Sequence, residues 1–486
     1  MRLSIRDKFL FGNKAPISPK EIGLVFLLVI SLLGLIFNEP MIELGLNISH
    51  FEPQNQSSLM LFSNLEHNKA DFQNLPKNVI TKVWASMQPF TRSSTSFSLP
   101  KTKQLYEEQA SDEIGRGVSI DNHGNIILVG DTRSSLFPTL NAYDSTFNGS
   151  SDAFIAKFDA AGVMLWSTFF GGTNGEEGCK IVVDRQNNIY VSGTTTSQDF
   201  PLLDSYYSSY NGAEEVFVAK FSPDGLLLWS TFLGGTSSDR GQSINIDSQD
   251  NIVVTGCTYS IDFPTKKAYN NTLRGGVDAF ISKFASNGTL LWSTFVGGLT
   301  TDFGADIAVD SQDDILIIGT SLYRTPYVEV TRKVFISRFN STGTWMWNRY
   351  LEGEYNDIGV GITIDSQNNI VVTGHTDSNY FPTLNAIYSR KERYDIFISK
   401  FNNTGELLWS SYFGGTKDDT ASKILVDSQD NIVVTATTKS QDVPLVDAAN
   451  SDFKGGNNGF IAKFSVETGT LIWSSALGGD GNDEIL

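Results

Sequence analysis

Short runs of alternating hydrophobic and polar residues recur from about residue 111 to the end of the chain. In one period, "SINID" is followed by the turn "SQDN" and the run "IVVTG". After a loop of about twenty residues come "DAFISKF", the turn "ASNGT" and "LLWSTF". A period of two, with Gly, Asn and Asp between the runs, is typical of β-strands joined by tight turns. Each period therefore predicts four strands of one antiparallel sheet.

The four-strand period occurs six times. Its markers are the tryptophan of the last run and the aspartate that ends the first run: Trp166, Trp229, Trp292, Trp347, Trp409 and Trp473, with Asp121, Asp184, Asp247, Asp310, Asp365 and Asp427. Four-stranded units repeated in this way are typical of a β-propeller, whereas solenoid units are usually smaller. The sequence thus predicts an all-β propeller whose repeats cover about 111–173, 174–236, 237–299, 300–354, 355–416 and 417–479.

The C-terminal segment "GGDGNDEIL" has the sequence of a loop that opens a repeat. Two interpretations stay open. Residues 478–486 lie beside the opening loop at 112–115 and close a ring of six blades, or the propeller is seven-bladed with an incomplete blade.

Three motifs resemble those of a known family. "D-x-x-N-N-I-x-V-x-G-x-T-x-S-x-D-F-P", "D-A-F-I-A-K-F" and "L-L-W-S-T-F-x-G-G" are similar to the SBBP-type β-propeller repeats of exported bacterial and archaeal proteins. The resemblance covers about residues 111–486. It implies a seven-bladed propeller outside the cytoplasm and no defined reaction, and the six complete repeats counted here depart from that blade number.

The N-terminal region has a different composition. Residues 1–21 are basic and predicted to be cytoplasmic, and residues 22–37 form an uncharged apolar run. This run is predicted to be a helix, either an uncleaved signal-anchor that crosses the membrane or the h-region of a signal peptide. Residues 38–110 are polar and predicted to be a stalk. The propeller is expected to lie outside the cytoplasm, anchored or secreted, and N-x-S/T triplets are possible glycosylation sites at Asn148, Asn270, Asn287, Asn340 and Asn402.

Charge and residue types exclude several functions. The formal net charge of −18 argues against binding to nucleic acid. The two cysteines, Cys179 and Cys257, are expected to be buried thiols, since neither has a second ligand at metal-binding spacing. No nucleophile or zinc motif accompanies the four histidines. We therefore expect no cofactor and no catalytic residue.

An acidic residue opens each repeat just before the innermost strand. These residues are Glu113, Glu176, Asp239, Asp302, Asp357 and Asp419. Symmetry places them near the mouth of the axial channel, and two interpretations stay open. They bind a cation there, or each carboxylate accepts backbone N–H groups and ties neighbouring blades together. The strand-ending aspartates lie on the opposite face and are interpreted as turn residues.

The loop between the second and third strands is long in five repeats and carries tyrosines. Tyr143, Tyr207, Tyr210, Tyr269 and Tyr388 either bind a sugar or peptide or pack between blades. The fourth repeat lacks this loop, which predicts a notch in that face.

The sequence favours a binding, adhesion or scaffold module at the cell surface, with a protein or glycan ligand. The alternative is an exported hydrolase or lyase that acts on polysaccharide through the inter-blade carboxylates.

Overall fold

The predicted strands are present in every repeat of the computed structural model, which describes residues 3–5, 113–325, 328–388, 393–479 and 481–485. The predicted N-terminal helix and stalk lie outside these ranges. Within them, no helix is long and apolar enough to cross a bilayer. The described chain is all β, and its six four-stranded antiparallel sheets are the blades of a propeller.

The strands follow one another in chain order within each blade. Strand β1 (Leu3–Ile5) adds to the inner edge of the first blade by pairing with β2. The blades are: first, β2 Glu113–Ile120, β3 Ile126–Thr132, β4 Asp152–Phe158, β5 Met164–Phe170; second, β6 Glu176–Val183, β7 Ile189–Thr195, β8 Glu215–Phe221, β9 Leu227–Leu233; third, β10 Asp239–Ile246, β11 Ile252–Thr258, β12 Asp278–Phe284, β13 Leu290–Val296; fourth, β14 Thr301–Val309, β15 Ile315–Thr325, β16 Val328–Phe339, β17 Trp345–Leu351; fifth, β18 Asp357–Ile364, β19 Ile370–Thr376, β20 Asp395–Phe401, β21 Leu407–Phe413; sixth, β22 Asp419–Val426, β23 Asn431–Thr438, β24 Asn458–Ser465, β25 Leu471–Leu477.

Tight hairpins join the first two strands and the last two strands of each blade. Their turns need a residue with positive φ, and Asp250 (φ 61°) and Gly288 (φ 83°) supply it in the third blade. Asn and Asp tolerate this conformation better than other side chains, and glycine adopts it without steric cost. The Asn- and Gly-rich turns of the sequence therefore fix the hairpin register.

The hydrophobic core lies between successive blades. The middle strands are buried on both faces, so they are nearly continuous in apolar residues, as in "IVVTG" and "DAFISKF". Five core clusters join neighbouring blades from the first to the sixth. The inner strands contact one another in the same order, which places them around the axis.

The junction between the sixth and first blades differs from the other five. Val118 on β2 is 37% exposed, whereas Ile181 at the same position of β6 is 4% exposed. The segment 481–485 lies on the sixth blade instead. The Ile485 N–H donates to Thr437 Oγ1 at 3.0 Å, as the Gly241 N–H does to Thr194 Oγ1 at 3.2 Å. The C-terminal segment thus occupies the place of the next inner strand.

Candidate functional site

The acidic residues that open the repeats are engaged within their own loops. All are buried except Glu113, which is half-buried and accepts a hydrogen bond from Thr132 Oγ1 at 3.4 Å. In the other five, one carboxylate oxygen accepts the N–H of the glycine four residues earlier: Gly172 to Glu176 (3.0 Å), Gly235 to Asp239 (2.7 Å), Gly298 to Asp302 (3.0 Å), Gly353 to Asp357 (2.5 Å) and Gly415 to Asp419 (2.7 Å). A serine or threonine hydroxyl from the following strand or loop donates to the same carboxylate: Thr195, Ser260, Ser321, Thr376 and Thr438. Each of these five acids therefore holds the loop between two blades in place.

The six acids do not gather at the axis. Across the described ranges, no group of three or more His, Cys, Asp or Glu side chains is arranged to hold a metal ion. Four of the acids instead lie beside the acid that opens the third strand of the preceding blade, in the pairs Asp152/Glu176, Glu215/Asp239, Asp278/Asp302 and Asp395/Asp419. A cation at the channel mouth stays a prediction.

The carboxylate pair Glu215/Asp239 explains the glycine between its members. A Cβ added to Gly234 would lie 1.9 Å from Glu215 Oε2 and 2.6 Å from Asp239 Oδ2, so only glycine fits there. Burial raises the pKa of Glu215 to about 7, and the nearby charge of Asp239 adds to the shift. Burial likewise raises the pKa of Asp239 to about 6. Both groups are therefore held closer to neutrality than ordinary carboxyl groups.

The raised pKa of Glu215 predicts a pH-dependent stability. The folded state binds this proton more tightly than the unfolded chain, where the pKa is near 4.5. The stabilisation is complete below pH 4.5 and is lost as the pH rises through about 7. Glu215→Gln should therefore abolish on the order of 2 kcal/mol of the stability difference between pH 5 and pH 8, measured by urea unfolding. The exposed Glu467 gives the control variant Glu467→Gln, and an unchanged pH profile in Glu215→Gln would contradict the argument.

The strand-ending aspartates form turns, and each also forms an ion pair. Asp247 Oδ1 accepts the N–H groups of Gln249 and Asn251, both at 2.8 Å. Its Oδ2 lies 2.8 Å from Lys283 Nζ. Burial by itself would raise the pKa of Asp247, but the hydrogen bonds from Lys283 and Asn251 hold it below its ordinary range. The same ion pair occurs in every blade: Asp121–Lys157, Asp184–Lys220, Asp247–Lys283, Asp310–Arg338, Asp365–Lys400 and Asp427–Lys463.

The basic residue of this pair also links its blade to the next. Lys283 Nζ donates to the carbonyl of Ser341 at 3.1 Å, and Trp292 Nε1 donates to the same oxygen at 3.2 Å. Equivalent contacts reach the carbonyls of Pro223 and Ser286, and Trp409 reaches that of Val466. The sequence carried a signal for this tie, because a basic residue stands in the third strand of all six repeats.

A charged cluster on the axis was not predicted. Asp306 of the fourth blade accepts hydrogen bonds from Lys180 Nζ (2.8 Å) and Ser243 Oγ (2.7 Å) through Oδ1. Its Oδ2 accepts from Lys423 Nζ at 3.2 Å and from the Ile362 N–H at 3.3 Å. Four other inner strands thus contact the carboxylate of Asp306. Together with the strand of Asp306, they belong to the second to sixth blades.

A cavity of about 540 Å³ lies next to this cluster on the axis. Every inner strand contributes to its lining, for example through Arg116, Cys179, Gln242, Ala305, Val360 and Ser422. Its remaining lining combines basic and acidic side chains, including Lys439 and Asp418, which pair with each other at 3.0 Å. Cys179 and Cys257 are buried, as expected.

The loop tyrosines are placed in two ways. Tyr207, Tyr210 and Tyr388 are half-buried against blade cores, and Tyr210 Oη donates to the Ala213 carbonyl at 2.7 Å. Tyr143 is exposed, but its ring also contacts that of Phe221 in the next blade, with the ring centroids 6.2 Å apart. Tyr269 is 57% exposed and stacks on Trp345 of the fourth blade, with centroids 5.5 Å apart and planes at 17°. The structure therefore does not bring these five rings into one site.

The asparagines of the N-x-S/T triplets lie in turns and loops. Asn148 and Asn287 are exposed, whereas Asn270, Asn340 and Asn402 are half-buried. In the hairpins, Asn340 Oδ1 accepts the N–H groups of Thr342 and Thr344, and Asn402 Oδ1 accepts those of Thr404 and Glu406. Turn geometry accounts for asparagine at these two positions.

The missing loop of the fourth blade exposes its outer strand. In the other blades the residue that corresponds to Tyr350 is covered, with Phe169 and Phe232 at 1% and Phe295 at 0% exposure. Tyr350 itself is 47% exposed, because no loop within the described part of the chain packs on it. Trp345 and Met346 of the same strand are also exposed, and Tyr323 lies edge-on to Tyr350 at 6.5 Å. We call the surface formed by Tyr269, Trp345, Met346 and Tyr350 the blade-four surface.

Comparison with known protein families identifies the repeat. The beta-propeller repeat model of the SBBP family matches residues 165–201 and 347–382. Two stretches of the chain match the SBBP repeat. This confirms the resemblance seen in the sequence. Each SBBP match runs from the outer strand of one blade, through the acidic loop, to the second strand and first loop residues of the next. The SBBP unit therefore contains a whole blade junction, with the acid and its glycine inside it.

Two curated proteins are similar over most of the propeller. The regulatory protein FlaEY of Caulobacter vibrioides is 24% identical over 388 residues, and an uncharacterized WD repeat-containing protein of Acanthamoeba polyphaga mimivirus is 26% identical over 381 residues. The matches cover 73% and 65% of this chain, but only 39% and 24% of those proteins.

Solved structures are similar at a lower level. A polysaccharide lyase of family PL25, an ulvan lyase, gives 11% identity and a TM-score of 0.37 over 75% of this chain and 79% of that chain. An α-L-arabinanase of Penicillium chrysogenum gives 9% identity and a TM-score of 0.41 over 73% of this chain and 93% of that chain. At these scores neither enzyme assigns an activity to this chain.

Proposed function

We propose that this protein is a binding module that recognises other proteins through its blade-four surface. One observation carries the proposal: Tyr350 is 47% exposed where the equivalent rings of other blades are almost fully buried. Exposed aromatic and methionine side chains that cluster on a soluble surface are typical of protein interfaces. Tyr269 and Trp345 enlarge the surface across the junction of the third and fourth blades.

The hydrogen bonds of the acidic residues favour a binding function over catalysis. The carboxylates of Glu176, Asp239, Asp302, Asp357 and Asp419 accept hydrogen bonds from their own backbone and from neighbouring hydroxyls. A glycoside hydrolase needs two carboxyl groups that face its substrate across an open site. Because these groups are buried at separate junctions, hydrolysis or lysis of a polysaccharide has less support than recognition.

The place of action that we propose is the outer side of the cell membrane. Basic residues precede the apolar run 22–37, and this order favours a cytoplasmic N-terminus with the propeller on the other side. A binding surface on a membrane-anchored propeller would then face the surroundings of the cell.

One selection experiment tests both the proposed binding function and the proposed location. Random peptides displayed on phage are selected on the purified full chain and then applied to intact cells that produce it. We expect enriched peptides to lose at least tenfold in affinity for the double variant Trp345→Ala, Tyr350→Ala. The control variant Leu228→Ala changes a side chain of the second blade that is 40% exposed, close to the 47% of Met346. It should bind as the unchanged chain does.

The outcomes separate the two claims. Peptides that bind the purified chain but not intact cells would contradict the proposed location and leave the binding function standing. Peptides that bind the double variant and the unchanged chain equally would place recognition elsewhere. Binding of oligosaccharides, with no enrichment of peptides, would replace a protein ligand with a glycan.

A further inference from the structure

The outer edges of five blades are covered by their own chain. In the second blade the Ser230 N–H donates to the Leu203 carbonyl at 2.8 Å, and the Phe232 N–H donates to the Tyr207 carbonyl at 3.1 Å. The long loop thus covers the edge of β9 through an isolated antiparallel bridge between Leu203 and Ser230 and a second contact at Tyr207. The other loops make the corresponding contacts through Leu140, Lys266, Leu384 and Val446. Covering an edge in this way removes its unpaired backbone groups from other chains.

Among the residues that the structure describes, none covers the edge of β17 in the fourth blade in this way. Its register on β16 is that of the other blades, with Asn348 opposite Ser337 and Tyr350 opposite Phe335. The N–H groups of Asn348 and Tyr350 therefore point away from the sheet. Neither group has a hydrogen-bond partner in residues 113–325, 328–388, 393–479 and 481–485. The blade offers two donors at the spacing that an added strand requires.

The charge around this edge differs from that of the whole chain. The segment 324–349 contains five basic residues and one acidic residue, whereas the protein carries a net charge of −18. Two of the five are paired with acids: Arg338 with Asp310 and Asp314, and Lys333 with Glu352, which lies just beyond the segment. Lys333 lies over the ring of Tyr323 at 4.6 Å, beside the Tyr350 ring. An acidic segment is therefore the chemical complement of this edge.

We propose that the edge of β17 binds an extended, acidic segment of a partner protein as an added antiparallel strand. This inference rests on the proposed binding function of the blade-four surface and gives its mode and partner class. The Asn348 and Tyr350 N–H groups donate to two carbonyls of the segment, two residues apart, as in a regular antiparallel ladder. Main-chain bonds of this kind supply affinity, and alternate side chains supply specificity. On this edge those side chains meet Tyr350 and Met346.

The chain itself supplies a probe for this site. A synthetic peptide of residues 199–208, "DFPLLDSYYS", carries two aspartates and contacts the equivalent edge N–H groups within the second blade. We expect it to bind the full chain and to slow amide hydrogen exchange at Asn348 and Tyr350 by at least about tenfold. A peptide of the same composition in scrambled order should bind at least about tenfold more weakly.

Two variants at one position separate the backbone from the side chain. Asn348→Pro removes an edge N–H that makes no bond within the sheet, and proline is tolerated at such edges. It should weaken peptide binding by at least about tenfold, whereas Asn348→Ala, which keeps the N–H, should stay within about twofold.

Each outcome decides the proposal. No binding of the 199–208 peptide, or equal losses in both variants, would overturn strand addition. If Asn348→Pro fails to fold, amide protection in the unchanged chain decides. Binding that depends on Trp345 and Tyr350 but not on the Asn348 N–H would keep the proposed function and reject this mode. Protection of the same amides through self-association, without peptide, would make a second copy the occupant and refute a separate partner.

Discussion

Replacing Asp247 with alanine is expected to lower the free energy of unfolding by about 3–5 kcal/mol. The substitution leaves the buried Lys283 ammonium without the carboxylate that lies 2.8 Å from it. It also removes the acceptor for the Gln249 and Asn251 N–H groups of the turn. An unpaired buried charge costs more than the pair contributes, so the loss should be large. Urea unfolding followed by tryptophan fluorescence measures it.

A double substitution tests the cause of that loss. Asp247→Asn with Lys283→Met removes both charges, keeps an acceptor in the turn and fills a similar volume. It should recover at least about half of the lost stability, because apolar residues often replace a buried ion pair at little cost. If Asp247→Ala is as stable as the unchanged chain, the ion pair contributes nothing to the blade.

Replacing Asp306 with alanine is expected to cost on the order of 3 kcal/mol. Its carboxylate lies between Lys180 and Lys423, so its removal leaves two ammonium groups facing each other at the axis. Part of the loss should disappear in 1 M salt, since added ions screen the repulsion of groups that are not fully buried. Denaturant unfolding at two salt concentrations measures both effects.

Ser243→Ala is the comparison for the axial cluster. Ser243 donates to the same carboxylate at 2.7 Å but carries no charge. Its loss should cost about 1 kcal/mol, with little dependence on salt. An Asp306→Ala variant no less stable than Ser243→Ala would show that the charges do not hold the inner strands together.

The fold could be predicted from the sequence because its signals are local. Alternation within "SINID" and "IVVTG", and the Asn- and Gly-rich turns between such runs, define hairpins within about ten residues. The recurrence of Trp229 and Asp247 at regular intervals then gives six complete repeats, although the choice between six and seven blades needed the structure. The turn role of Asp247 was equally local, since the N–H groups that donate to it lie two and four residues away.

The partners of the charged residues could not be predicted, because they depend on contacts between distant strands. Lys283 reaches Asp247 only when β12 lies beside β11 in the observed register. Asp306 meets Lys180 and Lys423 across the axis, at separations of 126 and 117 residues. The short fourth repeat did predict a notch. That its outer strand has an uncovered edge follows only from the loop contacts of the other blades.

In the contact between neighbouring blades, the acceptors are main-chain carbonyl oxygens. This affects how the sequence of the propeller can change. Tryptophan side chains donate to the carbonyls of Pro223, Ser286 and Val466, three residues with different side chains. Because the receiving atom belongs to the backbone, the residue at that turn can be exchanged without loss of the contact. Blades are therefore interchangeable at this junction. A duplicated or transplanted repeat would bring its own donor side chains and its own acceptor carbonyl.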